Sequence, residues 1–277
     1  MDTKTIFLHI PKAGGSTLHR IAEHQYVPKK IFTVKGDAIN KYLSKLNNLS
    51  KKEVDNLQFI KGNLPFGIHR TLPGKYQYIT ILRDPVRRVI SHYYYVKQST
   101  THYLHQKYDL KNMSLKEYVS NPPTNELNNG QVRFLCGLPK VDYGLGGRDY
   151  IGEEQKMLDA AKENLRNMPA FGLLERYDLS LLLFADILNW HSPYYKIRNK
   201  AKVKKEKVSD ETLEIIKANN QADIKLYRFA EEIFRKKTAS FSTEDIQKFK
   251  RINRLKSTRF QLLFKDVVYH LRKNMRI

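Results

Sequence analysis

The chain has 277 residues, 41% of them hydrophobic, so it can bury a substantial core in one large domain or two small ones. Its 50 lysines and arginines against 28 aspartates and glutamates give a formal net charge of +22, which indicates a polyanionic partner: nucleic acid, anionic lipid, acidic polysaccharide or phosphorylated nucleotide. The single cysteine, Cys136, excludes an intrachain disulfide framework, and no apolar run reaches the roughly 18 residues of a membrane span.

The first predicted element is a buried strand over residues 5–10, followed by the turn Lys12–Gly15 and a helix that starts at Ser16. Such a turn presents unpaired backbone N–H groups and the positive end of a helix dipole at one point. The two glycines let an oxyanion approach, Lys12 adds a charge, and Ser16 and Thr17 add hydroxyl donors. The turn is therefore a candidate phosphate site, although its lysine precedes both glycines, unlike a Walker A loop. An ordinary tight turn with a solvated lysine is the alternative.

A second buried strand is predicted over residues 76–82 and ends at Arg83. An Asp-Pro dipeptide then supplies an N-cap and a first helical residue, so a helix should follow to about residue 97. Arg87 and Arg88 precede Ser91 by about one turn, and guanidinium groups beside a hydroxyl suit a second phosphate. The alternative is a helix start whose arginines pair with nearby carboxylates.

The remaining predicted elements alternate in type. Capping boxes at Ser50–Glu53 and Ser114–Glu117 predict two helix starts. Apolar spacing predicts helices over 153–166 and 179–190, with a candidate strand over 170–174 between them. Strands that alternate with helices predict an α/β layer fold with a mainly parallel sheet.

The two motifs, in this order and about 70 residues apart, resemble those of the carbohydrate sulfotransferases that use 3′-phosphoadenosine 5′-phosphosulfate (PAPS), particularly the branch that includes heparan sulfate 2-O-sulfotransferase. The stretch HIPKAGGSTL is similar to the first family motif, and RDPVRRVISHY fits the second, RDPxxRxxSxY. Weaker similarity in NNGQVRFLCG and FGLLERYDLSLLLF extends the resemblance over roughly residues 5–200, and we interpret the latter stretch mainly as core. The resemblance implies a P-loop-NTPase-like three-layer fold with a central, mainly parallel sheet flanked by helices.

The resemblance also implies site residues. In this family the first motif binds the 5′-phosphosulfate of PAPS and the second binds the 3′-phosphate. The implied donor-binding residues are Lys12, Ala13, Gly14, Gly15, Ser16, Thr17, Arg83 and Ser91, with Lys12 also acting on the leaving oxygen. Candidates for binding the acceptor are Asn63, Tyr94, Arg133 and Arg198. No cluster with metal-ligand spacing is visible in the sequence, so we expect no metal.

Transfer to a hydroxyl group also requires a base. In relatives the segment equivalent to residues 60–74 begins Gly-His, and that histidine is assigned as the base, but here Asn63 occupies its position. Because an amide does not accept a proton at neutral pH, we expect His69 to act as the catalytic base. Two alternatives stay open: His69 only orients the substrate, or the chain binds the donor without turning it over.

Three further stretches suggest partners. The tyrosines and histidines of SHYYYVKQSTTHYLHQKY, residues 91–108, suit the stacking of sugar rings, although at least two of Tyr93–Tyr95 are expected to fill the core. The cationic run at 196–207 is either a solvated face or a groove that steers an acidic substrate. Residues 241–277 predict one or two basic amphipathic helices, which can pack on the domain, join a second subunit in an oligomer, or contact an anionic membrane peripherally.

We therefore predict a sulfotransferase domain over residues 1–240 that moves the sulfuryl group from PAPS to a hydroxyl of an acidic or neutral glycan. No nucleic-acid partner is expected, but a nucleotide-dependent phosphotransferase and a basic nucleic-acid-binding protein stay open as alternatives. Because a strand begins within a few residues of Met1, leaving no room for a signal peptide or anchor, we expect a soluble, cytoplasmic protein of bacterial type, or one at the inner face of the membrane.

Overall fold

The computed structural model describes residues 3–34, 39–138, 152–196, 207–256 and 259–274. Its sheet has five strands in the order β2-β3-β1-β4-β5, and every neighbouring pair is parallel. The strands are β1 (Lys4–Leu8), β2 (Ile31–Val34), β3 (Phe59–Gly62), β4 (Tyr76–Leu82) and β5 (Gly172–Leu173). All five residues of β1 are buried, as expected of a central strand covered on both faces.

Helices connect and cover these strands. Across the described ranges they are α1 (Gly15–Glu23), α2 (Ile39–Asn47), α3 (Lys51–Asn56), α4 (Pro85–Gln98), α5 (Tyr103–Lys107), α6 (Leu115–Ser120), α7 (Gly130–Leu135), α8 (Glu154–Asn167), α9 (Tyr177–Leu188), α10 (Asp210–Ala218), α11 (Gln221–Lys237), α12 (Thr243–Lys256) and α13 (Arg259–Asn274). Within the described part of the chain, none of them has the length and apolar character needed to cross a membrane. The predicted P-loop-like α/β fold, with a central parallel sheet flanked by helices, is confirmed.

Elements with strong local signals lie where the sequence predicts them. The strand β4 has the predicted bounds, and the Asp84 carboxylate caps α4 by accepting the backbone N–H of Arg87 at 2.8 Å. Both predicted capping boxes, Ser50–Glu53 and Ser114–Glu117, are formed. Here a side chain and a backbone group within one turn determine where each helix begins.

Weakly marked strands differ from the prediction. The strand β5 has two residues instead of five, and β1 ends at Leu8, so that His9 and Ile10 belong to the turn. The sequence analysis indicated neither β2 nor β3. In β3 the reason is a lysine, Lys61, within the strand. Lys61 is 1% exposed and pairs with Glu23 of α1, Nζ to Oε1 at 2.6 Å. A strand whose lysine is buried beside a carboxylate lacks the apolar pattern on which sequence reasoning depends.

Two hydrophobic clusters position the site. The larger surrounds the sheet and includes side chains from α1, α7, α8, α9 and α11. The smaller joins α4 to α5 and α6 through Val89, Tyr93, Val96, Leu104 and Tyr118. It fixes the part of α4 that lies beyond the sheet.

The predicted basic tail forms α12 and α13. Phe249 of α12 is buried against the Tyr194 ring, with centroids 5.9 Å apart, and the Asn253 side chain accepts the N–H of Tyr195. Asp266 of α13 lies 2.9 Å from His24 Nε2 and 3.3 Å from the Arg20 guanidinium. Both helices therefore contact the rest of the chain, while the division at residue 240 stays a prediction.

Candidate active site

The two motifs meet at one edge of the sheet because the strands before them are neighbours. Leu8 of β1 is level with Gly62 of β3 and with Thr80 of β4. The residues that follow each strand therefore share the carboxyl edge of the sheet, where α/β proteins commonly bind ligands. The Lys12 turn, Asn63 and Arg83 lie at this edge.

The turn before α1 keeps its backbone open to an anion. Lys12 and Gly14 both have left-handed backbones, with φ of 67° and 86°, and Gly14 is the N-cap of α1. A Cβ on Gly15 would lie 2.0 Å from Cδ2 of His9, so an alanine cannot fit without movement. The turn and the first N–H groups of α1 thus form a cradle that a Cβ at Gly15 would distort, and it suits a phosphate.

The stretch interpreted as core also covers this turn. The side chain of Leu174 lies against Gly14, where a Cβ would meet it at 2.6 Å. The Tyr177 hydroxyl hydrogen-bonds Thr17, and it lies 3.5 Å from the carbonyl oxygen of Gly14. Burial raises the pKa of Tyr177, so its hydroxyl stays protonated. Thr17 is therefore shared with Tyr177, while Ser16 is exposed.

Arg83 joins the second motif to the first. Its Nη1 donates to the carbonyl oxygen of Lys12 at 2.9 Å, and its backbone N–H and carbonyl bond the amide of Gln131 at 3.0 and 2.8 Å. Its Nε is buried and has no hydrogen-bond partner among the described residues. Burial lowers the pKa of Arg83, and the carboxylate of Glu175 opposes this. An orphaned N–H on a half-buried cation is a donor that a bound phosphate would satisfy, so these residues fit the donor nucleotide.

The other two arginines of the second motif, Arg87 and Arg88, differ in exposure. Arg87 is exposed, whereas Arg88 is 0% exposed, with Nη2 3.7 Å from Asp223 Oδ2. Arg88 Nη2 also donates to the carbonyl of Glu126. For Arg88 the structure favours the alternative, a pairing with a carboxylate inside the protein, although its Nε and Nη1 are buried without a hydrogen-bond partner among the described residues. Ser91 is half-buried on α4.

The predicted acceptor residues occupy different environments. Asn63 hydrogen-bonds His9 beneath the first turn. Arg133 is 5% exposed and donates from Nε to the carbonyl oxygen of Asn128 at 2.9 Å, which leaves little surface for an acceptor. Tyr94 is half-buried and packs edge-on against Tyr93. Arg198 lies outside the described residues.

His69 is held by Tyr78 of β4. The hydroxyl oxygen of Tyr78 accepts the backbone N–H groups of Gly67 and His69 at 3.1 and 3.3 Å, and it lies 2.9 Å from His69 Nδ1. Because both lone pairs of the hydroxyl are used, we assign its proton to the bond with Nδ1. Burial lowers the pKa of His69 and raises that of Tyr78 to about 12. His69 is therefore neutral at pH 7, with its own proton on Nε2.

Sequence reasoning indicated the tyrosines and histidines of residues 91–108, but it did not place them beside Lys12 and it missed Glu126. The Lys12 Nζ lies 3.7 Å from the centroid of the Tyr95 ring, a cation–π contact. Glu126 lies nearby, with Oε2 3.4 Å from His92 Nε2. Burial and the charge of Lys12 together lower the pKa of His9 to about 4, against the opposing effect of Glu126. No motif marks Glu126, since it lies in a short turn between α6 and α7.

Comparisons with known proteins agree with the two motifs. The family model described as "Sulfotransferase family" matches residues 1–230. Heparan-sulfate 6-O-sulfotransferase 2 of Gallus gallus is 28% identical, over 84% of this chain and 67% of that protein. Heparan-sulfate 6-O-sulfotransferase 1 of Cricetulus griseus is 31% identical, over 60% of this chain and 46% of that protein. The chain thus spans about half to two thirds of the length of these relatives.

A solved structure, mouse sulfotransferase SULT7A1 complexed with PAP, aligns with 96% of this chain and 89% of its own, at 13% identity and a TM-score of 0.35. The predicted resemblance to carbohydrate sulfotransferases is confirmed, with curated relatives named for 6-O and not 2-O transfer. Since the family model covers most of its length, the chain belongs to the sulfotransferase family.

Proposed function

We propose that this chain transfers the sulfuryl group of PAPS to a hydroxyl group of a glycan. The observation that carries the proposal is the bond from Arg83 Nη1 to the Lys12 carbonyl oxygen, 2.9 Å long. It brings the turn before α1 together with a half-buried arginine, whose Nε–H has no partner among the described residues, at one edge of the sheet. A donor with two separate phosphate groups matches two such anion sites.

The chemistry is an in-line displacement at sulfur. The acceptor oxygen forms a bond to sulfur while the bond from sulfur to the 5′-phosphate oxygen breaks, and the acceptor proton passes to a base. Negative charge grows on the leaving phosphate oxygen. In this proposal the Lys12 ammonium, the first N–H groups of α1 and the Ser16 hydroxyl, which is exposed, offset that charge. Arg83 and Ser91 hold the 3′-phosphate.

His69 is the proposed base. Its lowered pKa keeps the ring neutral at pH 7, as a base requires. To accept a proton at Nε2, the ring must carry its own proton on Nδ1. The Tyr78 hydroxyl must then turn its proton away and give up one of the two backbone N–H bonds that it accepts, so that its oxygen can accept Nδ1–H. The variant His69→Ala should reduce transfer at least 10²-fold and leave the affinity for PAP unchanged. His191→Ala, at an exposed site, is the control. Full activity in His69→Ala would contradict this role.

The donor site is tested by calorimetric titration with PAP, the desulfated product. Wild type should bind PAP more tightly than ATP, and Arg83→Ala should weaken binding by about 10- to 100-fold, because hydrogen bonds to charged groups contribute about 1.5–3 kcal/mol. Lys12→Ala should weaken PAP binding, and it should reduce the rate of transfer by more than the loss of binding explains, because Lys12 also acts on the leaving oxygen. Arg235→Ala, at an exposed arginine of α11 outside both motifs, is the control.

Other outcomes identify the alternatives. Preference for ATP with Mg²⁺ over PAP would support a phosphotransferase and contradict the proposal. Binding to nucleic acid with a steep salt dependence, and without dependence on Lys12, would support a nucleic-acid-binding protein. Tight PAP binding without transfer to any glycan would support a protein that binds donor without turnover.

The acceptor we propose is an acidic glycan of the heparan sulfate type. Two of the relatives are named for heparan sulfate, and the formal net charge of +22 favours association with a polyanion. Transfer of labelled sulfate from PAPS to heparan sulfate, but not to chitin oligosaccharides, would support this choice. Transfer to the neutral glycan alone would contradict it.

A cytoplasmic location, peripheral membrane contact and an oligomer also remain proposals for this chain. The observation that favours membrane contact is the exposure of Leu255, Val267 and Leu271 on two basic helices. Sedimentation with vesicles of anionic lipid, compared with vesicles of neutral lipid, tests it. Equal sedimentation with both would contradict an electrostatic contact.

A further inference from the structure

We infer that Tyr95, His102 and Tyr103 form the surface on which a pyranose ring of the acceptor stacks; we call these three side chains the aromatic shelf. This inference rests on the proposed function and deepens it. Tyr95 is 47% and Tyr103 is 48% exposed, and among the tyrosines, phenylalanines and tryptophan whose exposure is described they are the most exposed. Exposed aromatic rings beside a polar site are typical of surfaces that bind ligands with an apolar face.

The shelf begins at the lysine that acts on the donor. The ring of Tyr95 lies under Lys12 Nζ at 3.7 Å and meets the ring of His102 edge-on, with centroids 5.7 Å apart. His102 in turn stacks on Tyr103, with centroids 4.9 Å apart and planes inclined by 27°. These contacts form a continuous path from Lys12 outward, so a sugar on the shelf would lie next to the sulfuryl group.

The shelf is rigid without being part of the core. The neighbouring side chains of α4 and α5, such as Val96 and Leu104, fill the smaller hydrophobic cluster. His102 caps α5 by accepting the backbone N–H of Leu104 at 3.3 Å, and His105 Nδ1 lies 3.0 Å from the carbonyl oxygen of Val96. The bond to Leu104 holds the ring of His102, while about half of the Tyr95 and Tyr103 side chains stays exposed. A function in binding explains their exposure better than a function in stability.

A carboxylate lies beside the shelf. The ring of His92, which Glu126 contacts, lies edge-on to the ring of His102, with centroids 6.4 Å apart. Burial lowers the pKa of His102, and Glu126 opposes the shift. Glu126 keeps 13% of its side chain exposed while its Oε2 contacts His92. An ionised carboxylate accepts hydrogen bonds from sugar hydroxyls, and the C–H face of a pyranose packs on an aromatic ring. The combination suits a sugar better than a second phosphate, which Glu126 would repel.

The test compares Tyr103→Ala with Tyr103→Phe, using labelled PAPS and oligosaccharides of heparan sulfate, chondroitin and chitin as probes. Loss of the ring should raise the KM for the oligosaccharide that wild type sulfates by about 10-fold. The affinity for PAP and the Tm should not change. Tyr103→Phe keeps the ring and should stay within about 2-fold of wild type. Ile187→Ala, at an exposed apolar residue of α9, is the control for surface truncation.

The outcomes separate this inference from the proposed function. If wild type binds PAP and sulfates a probe while Tyr103→Ala has an unchanged KM, the shelf is overturned and the function stands. If wild type does not bind PAP, or binds it and sulfates none of the three probes, the glycan sulfotransferase is overturned and the shelf with it. A raised KM in Tyr103→Ala together with weakened PAP binding would also overturn the shelf, because the residue would then serve the donor.

Discussion

The turn at Lys12–Gly15 and the helix start at Arg83–Ser91 both place basic side chains at the carboxyl end of a strand in the same sheet. In the first region the candidate anion site is mainly backbone, and the glycines keep side chains away from it. In the second region it depends on arginines, and the protein takes one of them, Arg88, for its own interior. Two arginines of one motif thus differ in function: Arg83 keeps an N–H donor for a ligand, whereas Arg88 pairs with a buried carboxylate.

The difference follows from what covers each region. Above α1 the turn meets Leu174 and Tyr177, which leave Ser16 exposed. The helix α4 instead lies against α11, where Asp223 accepts the backbone N–H groups of Gln131 and Val132 at 3.1 and 2.8 Å. A buried carboxylate requires a cation, and Arg88 is the cation within reach.

The largest effect we expect is on stability in the second region. Arg88→Met should lower the free energy of unfolding by about 3–5 kcal/mol, because Asp223 would be left buried without its cation. Arg87→Met changes an exposed arginine next to it and should cost less than about 0.5 kcal/mol. Urea unfolding of both variants measures the difference. Equal stabilities would contradict an architectural Arg88 and return it to the list of candidate phosphate ligands.

The first region should respond to pH. Because His9 has a pKa lowered from 6.5 to about 4, the unfolded chain binds a proton between these values and the folded chain does not. Stability is therefore present above pH 6.5 and decreases as the pH falls towards 4, by about 3 kcal/mol for this residue. His9→Asn should remove that part of the pH dependence. Unfolding at pH 7, 5.5 and 4 checks it, with His191→Asn as an exposed control; an unchanged slope in His9→Asn would contradict the prediction.

Gly15→Ala tests the packing beneath the same turn. The added methyl group would meet His9, so we expect a loss of about 1–3 kcal/mol in the free energy of unfolding and weaker binding of PAP. The double variant Gly15→Ala with His9→Asn should recover part of the loss, because the smaller side chain leaves room. Losses that simply add would show that the two residues do not compete for space.

The smallest effect concerns the hydroxyl of the second motif. Ser91→Ala should weaken PAP binding by about 2- to 10-fold, the range expected for one hydrogen bond of about 0.5–1.5 kcal/mol. Ser99→Ala, at the end of α4, should leave binding unchanged. Calorimetric titration of both variants measures this. A Ser91→Ala variant with the affinity of wild type would limit the second site to Arg83.

Prediction from sequence succeeded where the determinants were local. The bounds of β4, the Asp84 cap and the two capping boxes depend on residues within one turn of each other. The short strand β3 was missed because Lys61 interrupts its apolar pattern, and its partner Glu23 is 38 residues away along the chain. Glu126 was missed because its contact is also distant along the chain: its neighbour His92 belongs to a helix that begins 41 residues earlier.

The sequence by itself determined the family, the parallel α/β class and the two candidate anion sites, because the spacing of glycines, prolines and caps acts over a few residues. Only the tertiary structure decided which side chains remain for a ligand. It paired Arg88 with Asp223, tied Thr17 to Tyr177 and His69 to Tyr78, and left Tyr95 exposed under Lys12. The physical reason is that burial and pairing depend on elements that are distant along the chain and adjacent only after folding.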